Sequence, residues 1–548
     1  MTTRTCIEQL LTTSRGFRNQ IILSGMMGVI HVCVTLMFVW VSKQLVDIAI
    51  GSSKGNLSLF IILMAACMLA QILLSAAENR LDDLNSVKMS NKIRHQLFLQ
   101  LMSSRWTGKE RYHTGDLLNR LETDTKTITD TLCRAVPATF VTIFQLITAF
   151  AFLLVLDFRL AWLLVLIMPI ALVTSKSYMK RIRQLTREIR TLESSVQGLV
   201  QERLQHRILL RTLESVESSA KILAYLQIQL KKCVMKRTNY TFFSRTTVQL
   251  GFAAGYATAF LWGILGLRNG SITFGMMTAF LQLVAQVQRP VVDLSRQVAA
   301  FAQTLTSIER LSELSTLPQE TEGKALKFNG NLGICLKQIS FTYPDTKQKV
   351  INQFTHDFRP GSTTALIGET GAGKSTLIRL MLSLLIPDEG IVILYNEKGK
   401  YQVSSRTICN MVYVPQGNTL MSGTIRENLL LGNPNATEND INEALHIATA
   451  DFVFSLPKKM DTRCGEYGMG LSEGQAHRIA IARGLLRPGR ILLLDEPTAS
   501  LDNDTEQILM QRLLSRLNGK TVIIVTHKKK VAAWCTEQVK IIKSIMNS

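Results

Sequence analysis

Hydrophobic and polar positions alternate on two different length scales along this chain. In the first part the apolar positions come in long stretches, at residues 20–41, 57–77, 137–156, 160–178, 248–267 and 272–290. Each is long enough for a spanning helix, which takes about 20 mostly apolar residues to cross a hydrocarbon core of about 30 Å. Beyond residue 290 the apolar runs are short, as at 364–367, 491–494 and 522–525. Such runs predict buried parallel strands. The first stretch is longer than the apolar core of a secretory signal, and no small-residue cleavage site follows it cleanly. It is read as a retained span.

The segments between the stretches alternate short and long. Residues 42–56, 157–159 and 268–271 are short connections; residues 78–136 and 179–247 are long and basic. Lys88, Lys92, Arg94, Lys109 and Arg111 lie in the first long one, and Arg181, Arg183, Arg187, Arg203, Lys231 and Lys232 in the second. The positive-inside rule puts both in the cytoplasm, together with both termini. Apolar residues recur there at helical spacing, as in Ile93, Leu97, Leu101 and Ile182, Leu185, Ile189. The spanning helices are therefore expected to continue into the cytoplasm and turn back. His113-Thr114-Gly115-Asp116 carries turn chemistry in the first excursion.

Composition agrees with this division. The 548 residues are 47% apolar and only 19% charged, where a soluble protein has about 25% charged residues. The net charge of +21 suggests a nucleic-acid partner. Its placement in the two excursions, with no interleaved aromatics, makes it a topology signal instead, and no nucleic-acid partner is expected. Nine scattered cysteines form no C-x-x-C pair, so reduced, mostly buried thiols are expected. The expected organisation is a cytoplasmic segment at 1–19, a membrane α-helical domain at 20–316 and a linker at 317–325. A soluble α/β domain follows at 326–548.

The chemistry lies in that last domain. The strand at 363–367 runs into Gly368-Glu369-Thr370-Gly371-Ala372-Gly373-Lys374-Ser375-Thr376, a P-loop in its strand–loop–helix context. Its glycines let backbone N–H groups wrap phosphates, and the following helix adds its positive end. Lys374 suits the β- and γ-phosphates and Ser375 suits Mg²⁺. The run at 491–494 delivers Asp495 for Mg²⁺ and Glu496 for polarising an attacking water. Leu471-Ser472-Glu473-Gly474-Gln475 opens a helix, where a hydroxyl and an amide form a small anion site; on its own this is equally an ordinary N-cap.

In order, the P-loop, Gln416, Leu471–Gln475, Asp495-Glu496, Ser500-Leu501-Asp502 and His527 resemble the nucleotide-binding domain of the ATP-binding cassette (ABC) family. Six spans ahead of one cassette resemble an exporter-type half-transporter. The resemblance implies a P-loop NTPase fold with a helical subdomain, and ATP and Mg²⁺ as ligands. It implies that Tyr343 stacks on adenine, that Gln416 senses Mg²⁺ and water, and that His527 contacts the γ-phosphate. It makes Glu496, His527 and Gln416 catalytic, and Ser375, Gln416 and Asp495 the metal-binding set. It implies that Ser500, Leu501 and Asp502 cross to a partner cassette, and that residues 462–468 touch the partner's helices. Glu473 stands where the family usually has Gly, and is expected to face away from the phosphates.

The resemblance further implies a dimer, with one cassette's P-loop and the other's signature enclosing each ATP. The second copy is either identical or a related half-transporter. The expected function is ATP-driven export of a lipophilic or amphipathic compound across a prokaryotic plasma membrane. The alternatives are an importer with an exporter-like fold, for instance for a metal chelate, and an ATP-gated channel or regulatory subunit. With no peptidase-like extension ahead of the first span, a peptide-processing exporter is disfavoured. The substrate is not identified. Docking turns are placed near Asp116 and Gln205. Gln282, Gln286 and Arg289 are candidates to line the transport cavity, although helix–helix hydrogen bonding accounts for them more simply. His31 is read as structural.

Overall fold

The computed structural model describes residues 15–105, 114–320, 323–344, 346, 348–465, 470–517 and 519–542. The chain divides into two compact units, residues 1–98 with 117–315, and residues 99–116 with 316–548.

The first unit is built from long helices: α1 (Arg18–Ala49), α2 (Leu57–Met102), α3 (Gly115–Leu156), α4 (Phe158–Gln205), α5 (Val216–Arg268) and α6 (Phe274–Ser315). Among the described residues α1, α2, α3 and α5 are long and apolar enough to cross a membrane. The stretch at 160–178 lies within α4. The stretch at 272–290 opens α6, where Gln282, Gln286, Gln288 and Arg289 lower its hydropathy. The excursions at 78–136 and 179–247 are helical over most of their described length. His113 lies outside the described residues, and Thr114–Asn119 are helical. A one-turn helix, Arg207–Thr212, joins α4 to α5, leaving Leu204, Ile208, Leu209 and Leu213 exposed.

Val39, Leu153, Ala161, Ala259, Phe280 and Leu283 form the apolar centre of this unit. Polar side chains do the rest of the joining. Thr131 and Thr304 share a hydrogen bond of 2.6 Å, Ser307 donates to Asp124 at 2.8 Å, and Arg120 reaches Glu313 at 2.8 Å. All three connect α3 to α6. Asp47 at the end of α1 accepts from the Gly275 N–H (2.9 Å) and the Thr273 hydroxyl (3.0 Å). It thereby caps α6 from another helix, satisfying donors that a helix start leaves unpaired.

The second unit contains a parallel sheet in the order β11-β3-β10-β9-β6 and an antiparallel sheet in the order β2-β1-β4-β5. The parallel strands are β3 (Thr363–Ile367), β6 (Met411–Val414), β9 (Ile491–Asp495), β10 (Thr521–Val525) and β11 (Glu537–Lys540). The antiparallel ones are β1 (Gly333–Thr342), β2 (Lys349–Phe358), β4 (Glu389–Asn396) and β5 (Gly399–Gln402), and a small ribbon pairs β7 (Gly423–Thr424) with β8 (Arg463–Cys464). Helices are α7 (Lys374–Met381), α8 (Ile425–Leu430), α9 (Glu438–Ile447), α10 (Glu473–Leu486), α11 (Asn503–Arg516) and α12 (Lys529–Ala533).

The short apolar runs are strands because both of their faces are covered. Ile491 and Leu493 of β9 pack with Leu377 and Met381 of α7, whereas Leu492 and Leu494 pack among Ile441, Ile479 and Leu509 of the helices on the other side. A Leu493→Ala change there costs about 2–5 kcal/mol. Helices α8, α9 and α10 each begin with a capping box, Thr424/Glu427, Thr437/Asp440 and Ser472/Gln475. They make up the helical subdomain. Residues 1–14 of the N-terminal segment and 321–322 of the linker lie outside the described residues. Among the described cysteines all are free; Cys67, Cys133 and Cys464 are buried and Cys33 is exposed.

Candidate nucleotide site

The carboxyl ends of β3, β9 and β10 meet at one edge of the parallel sheet, where open α/β sheets bind ligands. Strand β3 releases the loop Gly368–Gly373. Gly371 and Gly373 have φ of +81° and +94°, a region open to glycine and strained for other residues. A Cβ at Gly373 would also lie 2.7 Å from Ile351 Cδ1. The loop is thereby bent into a cradle that ends at the first turn of α7. Lys374 is buried, and its Nζ donates to the carbonyls of Gly368 (2.8 Å) and Glu369 (2.9 Å). A cation held across a curved glycine backbone at a helix start fits polyphosphate.

Strand β9 ends at Asp495. Burial raises its carboxyl pKa, and the Ser375 hydroxyl bonded to it opposes that shift. Tyr413 on β6 also bonds Asp495; burial first, and that carboxylate second, push its phenol up to about 12. Ser375 and Asp495 thus present adjacent oxygens beside the cradle, a donor set suited to Mg²⁺. Tyr413 was not singled out by sequence. Its only sign was its place in a four-residue apolar strand.

Glu496 follows in the left-handed region, with φ of +48°. This costs a non-glycine residue about 1–2 kcal/mol. Its N–H is fixed to the Val525 carbonyl at 3.0 Å, which anchors the turn to β10. Its carboxylate accepts from Gln416 Nε2 at 2.9 Å and faces His527 Nδ1 at 3.1 Å. A carboxylate has about four lone-pair sites, so two remain for a water. Lys528 steadies the histidine loop, bonding the Thr498 carbonyl and Glu506.

Tyr343 lies near the same helix. Its hydroxyl is 3.1 Å from Thr376 Oγ1 and its ring is edge-on to Phe341. The signature residues lie at the start of α10. Ser472 caps it, accepting from the Gln475 N–H at 3.2 Å, while the Gln475 side chain accepts from the Ser472 N–H at 3.0 Å. Leu471 is half-buried and Glu473 is exposed. Gly474 is buried; a Cβ there would lie 2.6 Å from the Ser500 carbonyl. The signature therefore rests on the Ser500–Asp502 loop. Asp502 caps α11 through the Thr505 N–H, which holds its carboxyl below the usual range. Residues 466–468 of the segment before the signature lie outside the described residues.

His477, one turn into α10, is buried and hydrogen-bonds the Gly417 backbone, joining the signature helix to the loop that carries Gln416. Sequence reasoning passed over it, because a lone histidine in an apolar helix carries no pattern.

The candidate cavity residues are less concentrated. Gln282 Nε2 donates to Ser42 Oγ at 3.3 Å, Gln286 is half-buried and Arg289 is exposed. His31 Nδ1 is 3.2 Å from Glu78 Oε2, a pairing between α1 and α2.

Comparison with known proteins fits this geometry. The ABC transporter transmembrane region family matches residues 21–291, and the ABC transporter family matches residues 351–499. The chain belongs to the ABC transporters. It joins a transmembrane region to one cassette, the half-transporter arrangement of the exporter type, and is an ATP-driven membrane transporter. An ATP-dependent lipid A-core flippase of Bordetella avium is 27% identical, over 89% of this chain and 83% of the flippase. A putative multidrug export ATP-binding/permease protein, YgaD of Bacillus subtilis, is 26% identical over 94% and 90% respectively. The fold is that of a bacterial Atm1-family ABC exporter solved with ATP bound. The TM-score is 0.81 at 21% identity, covering 96% of this chain and 95% of the other.

Proposed function

We propose that this half-transporter exports a lipophilic or amphipathic compound across a bacterial inner membrane, as a dimer with two composite ATP sites. The observation that carries the reading is Glu496, held between Gln416 and His527 at the strand ends beside the P-loop. Lys374 and the loop amides bind the β- and γ-phosphates. Glu496 orients the attacking water through a free lone pair and receives its proton. Gln416 and His527 hold that carboxylate in place, and His527 contacts the γ-phosphate. Tyr343 supplies the adenine contact. Ser375, Asp495 and Gln416 would hold Mg²⁺, which would offset the phosphate charge.

The signature opens a different helix from the P-loop, and the resemblance has one chain's P-loop face the other chain's signature, so a second chain completes the site in this reading. ATP then favours the closed pair by differential affinity, and hydrolysis releases it. The exposed apolar turn at 204–213 is our candidate for the surface that couples cassette closure to the helices. Export of a lipid-like or drug-like molecule is supported by what the flippase and the multidrug permease are named for.

Complementation tests the composite site. Lys374→Ala and Ser472→Arg chains are each expected to be inactive alone. Co-expressed, they form a mixed dimer with one intact P-loop–signature pair, and ATPase returns. No recovery in a verified mixed dimer would remove the shared-site mechanism. ATP-dependent uptake of a lipophilic dye into inside-out vesicles tests export; uptake into right-side-out vesicles instead would reverse the direction.

A further inference from the structure

The opposite end of the parallel sheet holds a second concentration of charge. Arg490 immediately precedes β9 and Lys520 immediately precedes β10. The parallel register places them side by side, with the Thr521 N–H donating to the Arg490 carbonyl at 3.0 Å. Lys327 and Arg487 join them around a cavity of about 550 Å³, with Phe328 and Asn329 in its wall. No carboxylate lines it among the described residues. None of the four cations has a side-chain ion pair or hydrogen bond to a described residue.

Like charges forced into neighbouring positions repel, and folded proteins ordinarily relieve this with an acid. Here Lys520 is half-buried, and burial together with Arg490 lowers its pKa. The concave, one-signed wall raises the local concentration of anions. The feature is separate from the nucleotide site, because the P-loop, Glu496 and His527 all lie at the carboxyl ends of the same strands. Strands of five residues span about 17 Å.

We propose that this cavity binds a small multivalent anion bearing phosphate groups, held by Arg490, Lys520, Lys327 and Arg487. Arginine suits paired phosphate oxygens, and lysine acts as a point charge beside it. The cavity has neither a glycine cradle nor a metal-binding carboxylate, so the site binds and does not hydrolyse.

The test uses the full chain in phosphatidylcholine nanodiscs, with its ATP sites saturated by a non-hydrolysable ATP analogue. Pyrophosphate and a water-soluble dihexanoyl phosphatidic acid are titrated separately by calorimetry. Saturable binding of either, one per chain, is expected; the tighter of the two names a free anion or a lipid headgroup as the source. Arg490→Gln with Lys520→Gln is expected to weaken binding about tenfold or more. Lys327→Gln with Arg487→Gln, on exposed positions, gives the same direction without touching strand starts. Lys398→Gln with Lys458→Gln removes as much charge from elsewhere on the cassette surface and leaves binding unchanged. Absence of saturable binding by the wild type, or an equal loss in the Lys398/Lys458 variant, would overturn the proposal.

Discussion

The two units solve opposite solvation problems with similar residues. In the cassette, the leucines and isoleucines of β9 and β10 are almost wholly buried, and charge sits outside or around a ligand site. In the helical unit, Ile62, Ile72, Phe140 and Val155 are more than 60% exposed, while Asp47, Arg120, Asp124 and Thr304 are buried. The first pattern suits water; in the second the exposed apolar residues lie in the spanning stretches and suit lipid, while the buried polar groups lie outside those stretches and pair between helices. Function is written differently as a result. The cassette's chemistry depends on fixed backbone turns at strand ends. The helical unit is held together by polar pairs between helices far apart in sequence.

The sharpest break between the two is Glu496→Gln. It keeps the side-chain shape but removes the proton acceptor. ATP turnover in nanodiscs is expected to fall about 10²–10⁴-fold. Melting temperature and membrane insertion should stay at wild-type values. Turnover near wild type would show that the base lies elsewhere.

Asp47→Ala reverses the pattern. It strands the buried Gly275 N–H and the half-buried Thr273 hydroxyl, at a cost of about 2–3 kcal/mol. Thermal melting in detergent should drop, and Asp47→Asn should recover part of the loss. Gly275→Ala should resemble it, since a Cβ there would lie 2.3 Å from the Lys43 carbonyl. An unchanged melting point would mean that α6 does not depend on this cap. Ser472→Ala is milder for stability, about 1 kcal/mol for a lost N-cap. It sharpens the comparison if ATPase falls by more than the melting shift explains.

These cases also show what was legible in the chain. The P-loop, Asp495-Glu496 and the strands at 364–367, 491–494 and 522–525 were readable because local spacing fixes local geometry. Run length alone separated a membrane-helical part from an α/β part, while the P-loop NTPase fold with its helical subdomain rested on the motifs and the resemblance they carry. The Asp47 cap joins residues more than 220 positions apart in sequence, and nothing near Asp47 announces Gly275. The π-helical turns at Arg120–Asp124 and Thr131–Ala135 were equally silent, because their side chains find partners on α6. Arg490 and Lys520 became neighbours only through the parallel pairing of β9 and β10.

The smallest effect concerns His477, where the two solvation patterns meet in one side chain. It is a titratable group buried inside the cassette. Burial lowers its pKa from 6.5, and Glu473 and the Gly417 backbone only partly offset this. Well above pH 6.5 the ring is neutral folded or unfolded, so it adds no pH dependence there. As pH falls through 6.5 the unfolded chain takes up a proton that the folded chain refuses, and stability falls until pH drops below the lowered pKa. For one proton the slope cannot exceed about 1.4 kcal/mol per pH unit. His477→Gln keeps an amide donor for the Gly417 carbonyl and cannot titrate, so its melting temperature should decline less between pH 7 and pH 5.5. His356, also lowered by burial, remains in that variant and leaves a residual slope. Identical acid slopes in wild type and His477→Gln would mean that the ring takes up its proton as readily folded as unfolded.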